Sequence, residues 1–210
     1  MTPRNILAAP SEVTAERASE LFGQTQGAMV LTGAGLAWII NGLSALGDIP
    51  LTLFLGVLAA AALLLGGGWA VRRSAPGIAE TPWPTERSQG FQWAFGAEAA
   101  AIIVIVTVAL LLHRPLWIPP LIALAVGLHF FPLARLFQRP LYYVTGAGLC
   151  AVCIATLLFM PMQWGLRHLQ GWQLSTGLGS GAVLWLSALA MLVQSGRGLR
   201  KYLKTSLLVQ

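Results

Sequence analysis

Apolar residues fill six stretches of this chain almost without interruption, at 27–46, 51–71, 91–112, 116–134, 141–160 and 174–193. A helix needs about 20 such residues to cross a hydrocarbon core, and a backbone in lipid must satisfy its own hydrogen bonds. The pattern therefore predicts six transmembrane helices. The breaks between them carry turn chemistry. Gly47-Asp48-Ile49-Pro50 and His113-Arg114-Pro115 read as tight turns, Gln138-Arg139-Pro140 ends the fourth helix, and Pro161 closes the fifth. The expected fold class is all-α, a six-helix transmembrane bundle. It divides into an N-terminal segment 1–26, a membrane domain 27–193 and a basic tail 194–210.

Composition supports lipid as the solvent. Of 210 residues, 56% are hydrophobic and only 10% charged, with a mean hydropathy of +0.71. Soluble domains carry about 25% charged residues, so this chain could not clothe a surface in water. A secretory-signal pattern is not read in 1–26, where Glu12, Glu16 and Glu20 fall. The longest loop, 72–90, holds Pro76, Pro82 and Pro84 and is too short for a soluble catalytic domain.

Charge adds an orientation. Six spans sort the connections onto two sides. One side carries Arg4, Arg17, Arg72, Arg73, Arg87, Arg135, Arg139, Arg197, Arg200, Lys201 and Lys204; the other carries Arg114 and Arg167. Eleven against two predicts, by the positive-inside rule, that both termini are cytoplasmic, in a cell inner membrane. Trp117, Trp164 and Trp172 at one boundary and Trp69, Trp93, Tyr142 and Tyr143 at the other fit interfacial belts. The formal charge of +6 and pI near 10.2 are then explained by topology and anionic lipid, and no nucleic-acid partner is expected. In the tail, Arg197, Arg200, Lys201 and Lys204 recur at helical spacing. They read either as an amphipathic helix on an anionic leaflet or as a solvated stop-transfer tail. Ser11 to Phe22 reads as a short helix before the first span.

Two ionisable residues inside spans carry the candidate chemistry. Glu98 on the third span and His129 on the fourth come to nearly equal depth, roughly 8–9 Å inside the same boundary, on helices that must be antiparallel neighbours. A charged group at such depth costs about 2.5–3.5 kcal/mol and is a functional hypothesis by default. Pro132, one turn beyond His129, frees the Leu128 carbonyl and is expected to kink the helix. Such a site could relay a proton, hold a cation or orient a polar ligand; equally, the pair could simply fix helix register.

Other motifs are read as packing. Asn41 is taken as interhelical glue. Cys150 and Cys153 form a C-x-x-C on one helical face, mid-membrane and without a second pair, so they read as small apolar residues. Asp48, His113 and His168 come from separate turns and lack ligand spacing, so neither a metal nor a cofactor is expected. Gly177-Leu178-Gly179-Ser180-Gly181 follows no strand and is not a dinucleotide loop. It also departs from the G-x-S-G of rhomboid-type proteases. Gly177 and Gly181 are instead a small-xxx-small packing pair. Thr32-Gly33-Ala34-Gly35-Leu36 recurs as Thr145-Gly146-Ala147-Gly148-Leu149, a hint of shared packing.

The stretch Val126-Gly127-Leu128-His129-Phe130-Phe131-Pro132-Leu133-Ala134 resembles a GLHF-x-P-L-A segment of small bacterial multi-span membrane proteins of unknown function. The resemblance implies a bacterial inner-membrane protein in which His129 and Pro132 are characteristic, and it supplies no activity. Two functions are carried forward. One is binding or transport of a small solute or proton at Glu98 and His129. The other is a non-catalytic scaffold or accessory acting through helix association with a membrane-protein partner or a second copy. A membrane enzyme ranks third, since no nucleophile–base pair can be assembled.

Overall fold

The computed structural model describes residues 10–74, 85–161, 163–164 and 169–207, with side chains described for 23–74, 88–161, 163 and 170–200. Six helices dominate it: α1 (Pro10–Ser44), α2 (Leu51–Arg73), α3 (Thr85–Leu111), α4 (Ile118–Phe137), α5 (Pro140–Phe159) and α6 (Gly171–Leu207). All six are long and apolar enough to cross a membrane, and the apolar spans are Gly23–Ser44, Leu51–Arg73, Ser88–Leu111, Pro115–Phe137, Pro140–Phe159 and Gly171–Arg200. The chain is an integral membrane protein of the six-span, all-α class.

Two features depart from the sequence reading. The segment 11–22 and the first span are one helix, and α6 runs unbroken through the basic tail. No separate surface helix begins after 193, because 194–207 holds no glycine–proline stop and continues the span. At 35 and 37 residues, α1 and α6 reach about 52 and 55 Å, well beyond a hydrocarbon core of about 30 Å. The second departure is a small antiparallel pair between α5 and α6, β1 (Gln163–Trp164) with β2 (Leu169–Gln170), which closes the connection. Arg167 and His168 lie outside the described residues, as do Arg4, Pro76, Pro82 and Pro84.

The turns follow from local chemistry. Gly47 sits at φ +76°, a conformation glycine adopts without penalty, and Pro50 then sets the entry to α2. α3 and α4 end alike. His113 (φ 53°) and Gln138 (φ 51°) are left-handed, and the amides of Arg114 and Arg139 reach back to the carbonyls of Ala109 (2.8 Å) and Ala134 (3.1 Å). This closing pattern satisfies orphan carbonyls, and the following Pro115 and Pro140 forbid continuation. His113 is thus a helix-terminating residue.

α6 is the centre. It packs on α1, α5, α4 and α2, while α3 leans on α4. The core joins Leu184, Ala188 and Met191 of α6 with Ala28 and Leu31 of α1, Leu149 of α5, and Phe130 and Leu133 of α4. Between α1 and α6 the backbones touch: a Cβ at Gly177 would land on the Gly42 Cα and lie 2.7 Å from the Trp38 carbonyl oxygen. One turn on, a Cβ at Gly181 would meet Ile39 and the Gly35 carbonyl oxygen (2.9 Å). α4 and α5 meet through Gly127 and Gly146 in the same way, with Cys150 Sγ filling the next space. Only a missing side chain permits such approach.

Hydroxyls stitch this centre. Thr32 and Thr145, equivalent in the repeated T-G-A-G-L, each donate to the carbonyl four residues back (2.8 and 3.0 Å). Each also faces α6. The Trp185 indole N–H donates to the Thr32 carbonyl (3.1 Å), and the Thr145 and Ser187 hydroxyl oxygens lie 2.7 Å apart. The two copies of the motif therefore flank α6 from opposite sides. At the end away from the termini, the Trp172 indole stacks edge-on against Trp117 (5.3 Å) and donates to the Met160 carbonyl (2.8 Å). Nearby, the Gln173 amide donates to the Asn41 carbonyl and the Ser44 hydroxyl (both 2.9 Å). Asn41 contributes its backbone here, and its own side chain is exposed.

Candidate functional site

Glu98 and His129 meet. Glu98 lies ten positions into the Ser88–Leu111 span and His129 eight before the end of Pro115–Phe137, which sets both about 12–15 Å in from the end carrying the termini. His129 Nε2 stands 3.5 Å from Glu98 Oε2, and the side chains are only 6% and 14% exposed. The other ring nitrogen, Nδ1, lies 3.1 Å from the carbonyl oxygen of Ala94. Ala94 precedes Glu98 by one helical turn, so the imidazole spans one turn of α3. Phe95 (5.5 Å) and Phe130 (6.0 Å) pack edge-on to the ring and keep it dry.

This geometry favours one tautomer of the ring. A carbonyl oxygen can only accept, so the contact to Ala94 requires a proton on Nδ1. Nε2 then faces the carboxyl. With one proton between them, either imidazolium N–H meets carboxylate or carboxyl O–H meets imidazole nitrogen, and both states are net neutral. With none, lone pairs oppose; with two, N–H and O–H collide. A net-neutral pair in contact is also what a low-dielectric interior tolerates. The arrangement brings two ionisable side chains from different helices into direct contact.

Pro132 is exposed. α4 continues through it as one helix, and the carbonyl it frees belongs to Leu128, on the lipid-facing side. Pro132 lines instead a groove of about 570 Å³ between α3 and α4, together with Gly90, Phe131, Arg135 and Leu136. Glu98 and His129 are not among these lining residues. Gly177 and Gly181 sit in the α1–α6 seam, and Arg197 and Arg200 are exposed on α6; the side chains of Lys201 and Lys204 lie outside the described residues. No group of three metal-capable side chains occurs among the described residues. Cys153 is buried and Cys150 half-buried, both as free thiols.

One cluster escaped the sequence reading. Gln24 of α1 contacts the Ser195 hydroxyl of α6 (3.1 Å), and with its amide turned to satisfy both neighbours its oxygen accepts from the Arg139 guanidinium (3.2 Å). Gln24 falls before the apolar run, so only the helical continuation of α1 brings it beside α6. On the same buried face of α6, Thr176 and Ser180 have hydroxyls without a hydrogen-bond partner.

Comparison with protein-family models, curated proteins and solved structures gives no match.

Proposed function

We propose that this six-span protein handles protons in an inner membrane, with both termini cytoplasmic, and that Glu98 and His129 hold the proton. The observation behind this is the 3.5 Å approach of Nε2 to Oε2 while Nδ1 is tied to a carbonyl. Two ionisable groups on different helices, in an apolar surround, converge on one shared proton. That arrangement suits uptake and release, alone or with a small solute. The resemblance of 126–134 to small bacterial membrane proteins fits this setting. So does the basic end of α6, whose Arg197 and Arg200 suit anionic lipid or solvent.

The test uses purified protein in proteoliposomes with an internal pH dye. An imposed pH gradient should collapse faster with wild type than with Glu98→Gln, which keeps a hydrogen bond to Nε2 but cannot pass a proton. Equal rates for both, and for protein-free vesicles, refute the proposal.

The scaffold reading has its own support in the close backbone seams of α1–α6 and α4–α5, and in the packing of the pair away from the groove. Under that reading Glu98→Gln leaves partner association intact and alters stability alone.

A further inference from the structure

We propose that the groove between α3 and α4 is a binding site for an anionic phospholipid, with Arg135 holding the phosphate. The inference is independent of the proton site. Arg135 lies in the last turn of α4, near the end of the Pro115–Phe137 span, which is headgroup depth for a lipid packed beside the bundle. It is exposed, and its side chain has no ion pair or hydrogen bond among the described residues. By contrast, Arg73, at the end of α2, stacks over the Trp69 ring at 4.2 Å.

The walls suit the rest of a lipid. Phe131, Pro132 and Leu136 are apolar and line the groove, Leu136 at the level of Arg135 and Phe131 and Pro132 about a turn deeper. Phe131 is backed by the Tyr143 ring of α5 at 6.0 Å, so that wall is held. Gly90 of α3 forms its α3 side, where an added Cβ would lie 3.0 Å from Leu136 Cδ1, so a large side chain there would take up groove space. The volume of about 570 Å³ falls within the range of small-molecule sites, about 300–1,000 Å³, and holds a phosphodiester with its glycerol. A cation at the boundary above an apolar cleft between two spans is complementary to a lipid that carries a negative phosphate over an acyl chain. A soluble anion would leave the apolar walls unused, and a neutral lipid would leave the charge unanswered.

Native mass spectrometry of the full chain in detergent, titrated with dioleoyl phosphatidylglycerol and separately with dioleoyl phosphatidylcholine, tests this. Wild type should retain the first lipid in preference to the second. Arg135→Gln should weaken retention of phosphatidylglycerol about fivefold, the effect of one interfacial cation. Arg73→Gln, which removes the same charge outside the groove, should leave it unchanged. Gly90→Leu keeps Arg135 and takes up groove space, so it should weaken binding as well, and it carries the test should Arg135→Gln fail to fold. Equal retention of the two lipids by wild type, equal losses in both arginine variants, or full retention by Gly90→Leu overturns the proposal. A dimer that Arg135→Gln dissociates would assign the groove to a second copy and overturns it too.

Discussion

Replacing Glu98 and His129 by alanine, singly and together, measures how strongly the pair couples α3 to α4. Two full charges 3.5 Å apart attract by about 5 kcal/mol at an effective dielectric of 20. Desolvating each ion offsets most of that, and polar contacts between membrane helices retain about 0.6–2 kcal/mol. Glu98→Ala strands Nε2 while Nδ1 keeps Ala94, a loss of about 1–3 kcal/mol. His129→Ala removes both ring contacts and leaves the carboxyl facing a void, about 2–3 kcal/mol. The double variant should cost about 1–2 kcal/mol less than the sum, since neither partner is then stranded. Unfolding of purified protein in bicelles by added sodium dodecyl sulfate, followed by tryptophan fluorescence, gives the three values. Additivity within about 0.3 kcal/mol would refute a direct coupling of the pair.

The remaining expectations concern the frame. Gly177→Val should destabilise by about 3 kcal/mol or prevent folding, since its Cβ meets the Gly42 and Trp38 backbones and no flexible side chain can yield. Gly66→Ala on α2, with nothing within 4 Å, should stay within about 0.5 kcal/mol of wild type in the same unfolding assay. Trp172→Phe keeps the ring against Trp117 but orphans the Met160 carbonyl, and should cost about 1 kcal/mol, seen as a lower midpoint without loss of expression.

The six spans were legible because lipid makes a coarse demand: uninterrupted apolar length and internally satisfied backbone. The turns were legible for a related reason, since His113-Arg114-Pro115 and Gln138-Arg139-Pro140 share one chemistry and fold into one cap. The meeting of Glu98 and His129 followed from depth and a short connection, which left only helix rotation to settle. What stayed hidden depends on which helices touch without being consecutive. Apolar periodicity is uninformative when lipid and protein are equally apolar, so nothing marked α6 as the centre or Gln24 as a neighbour of Ser195. The continuation of α1 and α6 past the hydrocarbon thickness was likewise masked by the change from apolar to charged residues, which alters solvent preference without stopping a helix.

The placement of the pair has a physical logic. Between helices in a bilayer, burying an apolar side chain against protein instead of lipid gains little, so affinity must come from backbone approach or polar contact. α6 uses the first: 44% of its most apolar window is buried, and glycines bring α1 against it. α3 has almost none of that resource. Only 6% of its window is buried, and Trp93, Ile103 and Leu111 face outward at 80%, 65% and 74% exposure. The contacts it makes with α4 run through Gly90, Phe91, Ala94, Phe95 and Glu98, of which Glu98 is the one ionisable member. A helix with so little apolar burial depends more on each polar contact it makes. Among the contacts that hold α3, the one between Glu98 and His129 is therefore the one whose removal should loosen this helix most.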